Sequence, residues 1–350
     1  MSFVRPILFR AAALGGVLLA VLFLLVISLG ATGVSDKLLQ AQVSEQIRGL
    51  REPLSRTIQD PDELERVLQA RRADLESFYG LDTPWYQRMP STVVRVLKLD
   101  LGEARTLRTT TGETAISSII WERIPNTLLL FLTSFVIVAG IALLVGVRLA
   151  ANVGSRIDRV LSYFSAISFA MPTWWVGILG ILVLSYKLGI LPTGHMYSTP
   201  PPVDALPRLF DLAKHAILPV STLVLVSIGP AIYSVRTMTM TVAQEDHVTI
   251  ARAKGMPESV IGRRHILRVA APPIVTGLIL GLTGTLGGSI LVETIFQWRG
   301  MGGLYYESLT GSPDEGLIIA LTYVFTLMYV VARLVLEVLY VVLDPRVRYT

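Results

Sequence analysis

The chain of 350 residues contains no cysteine, which excludes disulfides, thiolate metal sites and a cysteine nucleophile and leaves the redox compartment undecided. Charge is scarce as well: 16% of residues are Asp, Glu, Lys or Arg against 52% hydrophobic, too apolar for an ordinary soluble domain. A phosphate-binding loop needs a lysine preceded by glycine and followed by Ser or Thr, so that the ammonium reaches the terminal phosphates. Lys37, Lys98, Lys187, Lys214 and Lys254 follow Asp, Leu, Tyr, Ala and Ala, so a Walker-type site is excluded. Any ATP that drives this protein must be bound by another chain. His195, His215, His247 and His265 stand at no metal-ligand spacing, and the serine-elbow lookalike Gly287-Gly288-Ser289 lies in an apolar run. No catalytic, cofactor-binding or metal residue is expected. The net charge of +5 does not read as a nucleic-acid surface, because the arginines cluster beside apolar runs.

What the chain does have is long hydrophobic stretches. Crossing about 30 Å of hydrocarbon takes about 20 helical residues. Six stretches qualify: Ala11–Ala31, Ile124–Val147, Val160–Tyr186, Ala216–Val235, Ala271–Val292 and Gly316–Leu343. The first is too long for a signal-peptide core and is expected to be an uncleaved anchor, despite the small residues at its end. Arginine and lysine are retained in short cytoplasmic loops. Placing the N-terminus inside puts Arg5 and Arg10, Arg148 with Arg156 and Arg159, Arg252 to Arg268, and Arg346 with Arg348 in the cytoplasm. The short outer loops then carry only Lys187, Arg208, Lys214 and Arg299. The expectation is an all-α integral membrane protein of six spans with both termini cytoplasmic, divided into residues 1–31, an outer segment 32–123 and a five-helix core 124–350.

Within the outer segment Leu39, Val43, Ile47, Leu50, Leu54 and Ile58 recur at helical spacing. Asp60-Pro61-Asp62-Glu63 then offers an N-cap, a proline at the first helical position and an acid three residues after the cap. A helical hairpin follows, either a platform for a substrate-delivering protein or a solvated insertion. Between the fourth and fifth spans, residues 244–268 read as helix, break, helix. Gly255 suits a left-handed helix end and Pro257 the first turn of the next helix.

Ala251-Arg252-Ala253-Lys254-Gly255, with Thr249-Ile250-Ala251 ahead of it, resembles the EAA loop of binding-protein-dependent ABC importer permeases, in the first-permease branch of the dipeptide and oligopeptide systems. Tyr79-Gly80-Leu81-Asp82, Asp100-Leu101-Gly102, Arg123-Ile124-Pro125-Asn126-Thr127-Leu128, Val292-Glu293-Thr294-Ile295-Phe296 with Trp298, and the terminal Leu343-Asp344-Pro345-Arg346 agree with it from about Phe78 onward. Departures are Arg299 between Trp298 and Gly300, the lack of a Pro-Gly-Asp-Pro-like segment after the first span, and a long outer segment. The resemblance implies the type I importer permease (MetI-like) fold in the inner membrane and a heterodimer with a second permease. It also implies two cytoplasmic ATPases carrying ATP and Mg, and an external binding protein. Glu245, Asp246, Thr249, Ala251, Arg252, Ala253, Lys254, Gly255 and Pro257 would then couple the ATPases to the pore. Peptides are the implied substrate, with oligosaccharides or nickel complexes as alternatives.

Three further groups stand out. Gly277, Gly281, Gly284 and Gly288 suit close helix packing in the fifth span, within the subunit or across the pore. Arg333 and Glu337 are ionisable groups inside the last span, spaced to pair with each other. Glu293, Phe296, Trp298 and Met301 sit near an outer mouth and are candidates for a gate or a binding-protein contact. The competing class is an ion-coupled secondary transporter, for which Pro172, Pro219 and Pro230 would have to break spans around a midplane site.

Overall fold

A computed structural model describes residues 4–104, 107–285, 289–310 and 313–343. Its described residues form fourteen α-helices and two π-helical turns with one isolated β-bridge, Glu103 to Ala115. The chain divides into two compact units, one centred on Arg123–Leu304 and the other taking in Arg10–Glu122 and Tyr305–Met328.

The second unit begins with α1 (Val4–Ala31) and the predicted hairpin, α2 (Val34–Thr57) and α3 (Pro61–Phe78). Leu39 and Val43 of α2 and Leu68 of α3 are buried, while Ile47, Leu50, Leu54 and Ile58 are half-buried along the same stripe. Asp60 caps α3 by accepting the Asp62 amide at 3.0 Å, with Pro61 at the first helical position. Polar ties close the hairpin. Gln42 and Gln46 both donate to the Tyr79 hydroxyl, at 2.8 and 2.9 Å, and Arg51 pairs with Glu65. Helix α4 (Trp85–Leu97) completes the outer segment and lays the Trp85 ring against Gly30 of α1.

The first unit is built on α5 (Ile116–Ala151), α6 (Arg156–Ala170), α7 (Thr173–Gly180, continued by a π-helical turn to Lys187) and α8 (Ala205–Ala243). At 1.5 Å per residue, α5 and α8 are about 54 and 58 Å long, well beyond the bilayer core. The elbow comprises α9 (Asp246–Ala253) and α10 (Glu258–Val260) with the π-helical turn Ile261–Leu267. The chain continues through α11 (Arg268–Thr285), α12 (Ser289–Ile295), α13 (Met301–Leu309) and α14 (Glu315–Leu343).

The all-α membrane architecture is as expected. Four helices among the described residues are long and apolar enough to cross a bilayer, and the α6–α7 pair makes a fifth only if its two arms, bent by 97°, form one broken span. Pro172 causes the bend: it forces Met171 into extended backbone, with ψ of 123°, so the helix must stop. The expected Ala271–Val292 span runs through residues 286–288, outside the described residues, as do Gly288 and the motif after Leu343.

Pro219 and Pro230, by contrast, lie inside an unbroken α8. Proline at 230 has no N–H for the carbonyl of Val226. The Ser168 hydroxyl of α6 lies 2.9 Å from that oxygen and 2.6 Å from Leu225 O, supplying a donor where the helix lost one.

Candidate functional site

The elbow is held by local chemistry. Gly255 has φ of +74°, the left-handed conformation its sequence position suggested. Its amide donates to Arg252 O at 2.9 Å, and the Met256 amide donates to Ala251 O at 3.3 Å, the paired bonds of a Schellman stop. Arg252 then reaches across the break to Glu258, Nε to Oε1 at 2.8 Å, and this partner raises the guanidinium above its ordinary pKa. His247 Nε2 lies 2.9 Å from the His265 carbonyl, so it is the nitrogen that donates, and it staples the helix before the break to the one after it.

Two faces result. Val248 and Ala251 are buried with Val242, Ile261, Ile266, Leu149 and Ala270, so α9 rests on the ends of α5, α8 and α11. Asp246, Thr249, Ile250, Arg252, Ala253 and Lys254 are exposed, as are Glu245, Gly255 and Pro257 at the ends. Ala251 is thereby corrected: its methyl group supports the helix from inside and offers no contact surface. Ile250, 54% exposed, was passed over as a site residue and is the apolar centre of the outward face.

The α8 helix carries this platform toward a cavity of about 410 Å³, walled by α5, α6, α8 and α11. Phe131, Phe135, Val138, Phe169, Leu223, Val226 and Leu278 make it apolar, Ser134, Ser227 and Ser234 supply hydroxyls, and among the described residues no charged side chain lines it. Gly277 lets Met238 and Ser234 of α8 approach and so serves packing inside the unit, whereas Gly281 borders the cavity with no neighbour against it. Between α6 and α8 lies an ion pair that the sequence did not single out: Arg236 Nε and Nη2 donate to Asp158 Oδ1 and Oδ2 at 2.5 and 2.8 Å.

At the far end of the unit, motifs more than 160 residues apart form one buried knot. Glu293 Oε2 accepts the amides of Gly302 and Gly303 at 2.7 and 3.0 Å, and Oε1 accepts the Thr127 hydroxyl at 2.8 Å. Thr127 in turn accepts the Met301 amide at 2.7 Å. The first three amides of α13, which no helical carbonyl can satisfy, are thus all paired. The Trp298 indole donates to Asn126 O at 3.0 Å, and the Asn126 amide to Arg299 O at 2.6 Å.

Glu293, Phe296, Trp298 and Met301 are all at most 1% exposed, which corrects their reading as a gate or docking surface: they fill the interior of their own unit. Arg333 and Glu337 lie one turn apart on α14, both half-buried.

Sequence comparison decides what such a structure belongs to. The family described as binding-protein-dependent transport system inner membrane component matches residues 142–349, more than half of the chain. The chain belongs to that family.

It is therefore a membrane component of a transport system that works with a substrate-binding protein. The match spans the elbow, α8 and the Glu293 half of the knot. Among similar proteins, the oligopeptide transport system permease protein AppB of Bacillus subtilis is 32% identical over 284 residues, covering 81% of this chain and 87% of AppB. The glutathione transport system permease protein GsiC of Salmonella choleraesuis is 31% identical over 300 residues, covering 84% and 89%. The di/tripeptide transport system permease protein DppB of Pseudomonas aeruginosa is 28% identical over 316 residues, covering 82% and 90%.

Proposed function

We propose that this permease forms half of the translocation pore of an ATP-driven importer of peptides, paired with a second permease and served by two cytoplasmic ATPases that bind ATP and Mg. The N-terminus and the elbow lie in the cytoplasm, and the α2–α3 hairpin lies outside, on the side of the binding protein. The observation that carries this reading is the two-faced α9. A short helix seated on three long ones, with Ile250, Thr249, Arg252 and Ala253 turned outward, suits the groove of a partner that moves.

The relatives named for oligopeptides, di- and tripeptides and glutathione support peptides as the substrate class. The cavity supports it too, because its apolar wall with three hydroxyls accommodates varied side chains without demanding a charge. That same lack of charge tells against ion coupling at this site. The test is reconstitution with the partner subunits in proteoliposomes. Peptide uptake that needs ATP and survives collapse of ion gradients is the expected result, and uptake that follows the ion gradient without ATP would overturn the proposal.

A further inference from the structure

Helix α8 ends at Ala243 and only two residues separate it from the start of α9 at Asp246, so any displacement of α9 reaches α8 directly. The cavity wall, however, also includes Phe169 near the bent end of α6, a helix with no covalent link to the elbow other than through the whole of α7 and α8. Something must make α6 follow α8.

The contacts between the two helices are of a kind that resists sliding. Asp158 lies in the first turn of α6, with its carboxylate gripped in a bidentate fork by Arg236, two turns before the end of α8, and also by the Gly154 amide at 2.9 Å. Side-chain exposure is 4% for Asp158 and 14% for Arg236, so water screens the pair little. Further along, the Ser165 hydroxyl lies 2.8 Å from Gly229 O and equally near Leu161 O of its own helix, and Ser168 reaches Val226 O, the carbonyl that Pro230 leaves open. Gly229 allows this because a Cβ there would fall 2.7 Å from Ser165 Cα; the two backbones touch. Purely apolar ridges can slip past each other, whereas a bidentate fork and two hydroxyl bonds fix register.

We infer that the Asp158–Arg236 pair is the clamp that makes α6 and α8 move as one lever, so that movement of α9 displaces both walls of the cavity together. Asp158 and Arg236 are positioning residues: they touch neither substrate nor nucleotide. This inference rests on the proposal that the ATPases dock on α9.

The experiment uses the full reconstituted complex and measures peptide imported per ATP hydrolysed, beside ATPase co-purification. Asp158→Asn and Arg236→Met are expected to retain bound, hydrolysing ATPase while import per ATP falls at least tenfold. A merely structural pair would lower yield and leave the ratio alone. Since the chain has no cysteine, Asp158→Cys with Arg236→Cys offers a unique pair in this subunit for a short bifunctional thiol reagent. Import per ATP in that variant is expected to be low before bridging and restored to at least half of wild type after it, which decides the matter even if the single variants assemble poorly. A ratio within twofold of wild type in the unbridged variants, with ATPase bound, would overturn the clamp. Absence of ATPase from the wild-type complex at α9 would instead overturn the docking proposal.

Discussion

Replacing Glu293 by alanine tests the buried knot. The truncation removes the acceptor for the Gly302 and Gly303 amides and for the Thr127 hydroxyl. Thr127 can turn its proton elsewhere, but the two amides at the start of α13 cannot. A buried donor left without a partner costs about 1–3 kcal/mol, so the pair costs about 2–6 kcal/mol. Water entering the vacated space offsets part of this cost. The expected net loss is about 4 kcal/mol. Glu293→Gln keeps the volume and an oxygen for the amides, but its amide nitrogen competes with the Thr127 proton, and the loss should be nearer about 1–2 kcal/mol. Thermal unfolding of the detergent-solubilised complex, followed through tryptophan fluorescence, orders the variants: wild type above Glu293→Gln above Glu293→Ala. An alanine variant that melts with the wild type would refute the knot as a source of stability.

Other predictions concern the elbow and the lever. Val248→Ala, which removes two buried methyl groups from beneath α9, should cost about 1–2 kcal/mol in the same unfolding assay. Ile250→Asp, on the outward face, should leave unfolding unchanged but reduce the ATPase that co-purifies, a separation that would fail if Ile250 were part of the core. Gly255→Ala forces a Cβ into a φ of +74° and should cost about 1–2 kcal/mol locally, seen as faster amide exchange at positions 255 and 256. Gly229→Leu should push α6 from α8 and sharply lower the yield of folded complex, because the nearest obstacle is backbone.

The break of the elbow was legible in the sequence because its determinants are local, a left-handed glycine and a proline two residues later, whereas the burial of Val248 and Ala251 beneath α9 depends on the ends of α5, α8 and α11 and was not. The hairpin was legible for the same reason, through Asp60 and the stripe from Leu39 to Ile58. The knot was visible only as two separate strings, Arg123 to Leu128 and Val292 to Trp298. Nothing in either string says that Thr127 accepts from the helix that Glu293 caps. Position near the end of a span made Phe296, Trp298 and Met301 look like a mouth, whereas the chain folds over them. The clamp was hidden for a different reason. Asp158 sits between Arg156 and Arg159, where the positive-inside pattern draws the eye to the arginines, and its partner lies 78 positions away. Proline was ambiguous in sequence too: Pro172 ends a helix, while Pro230 survives inside one because Ser168 of another helix repairs the ladder.

The account depends most on the outward face of α9 lying against an ATPase. A photo-crosslinker attached through Ala253→Cys, in a chain otherwise free of cysteine, measures this directly in the transporting complex. The expected result is an adduct with the ATPase from position 253 and none from Ala251→Cys, whose side chain points into the protein. An importing complex in which neither position 253 nor Thr249→Cys ever yields such an adduct would contradict it.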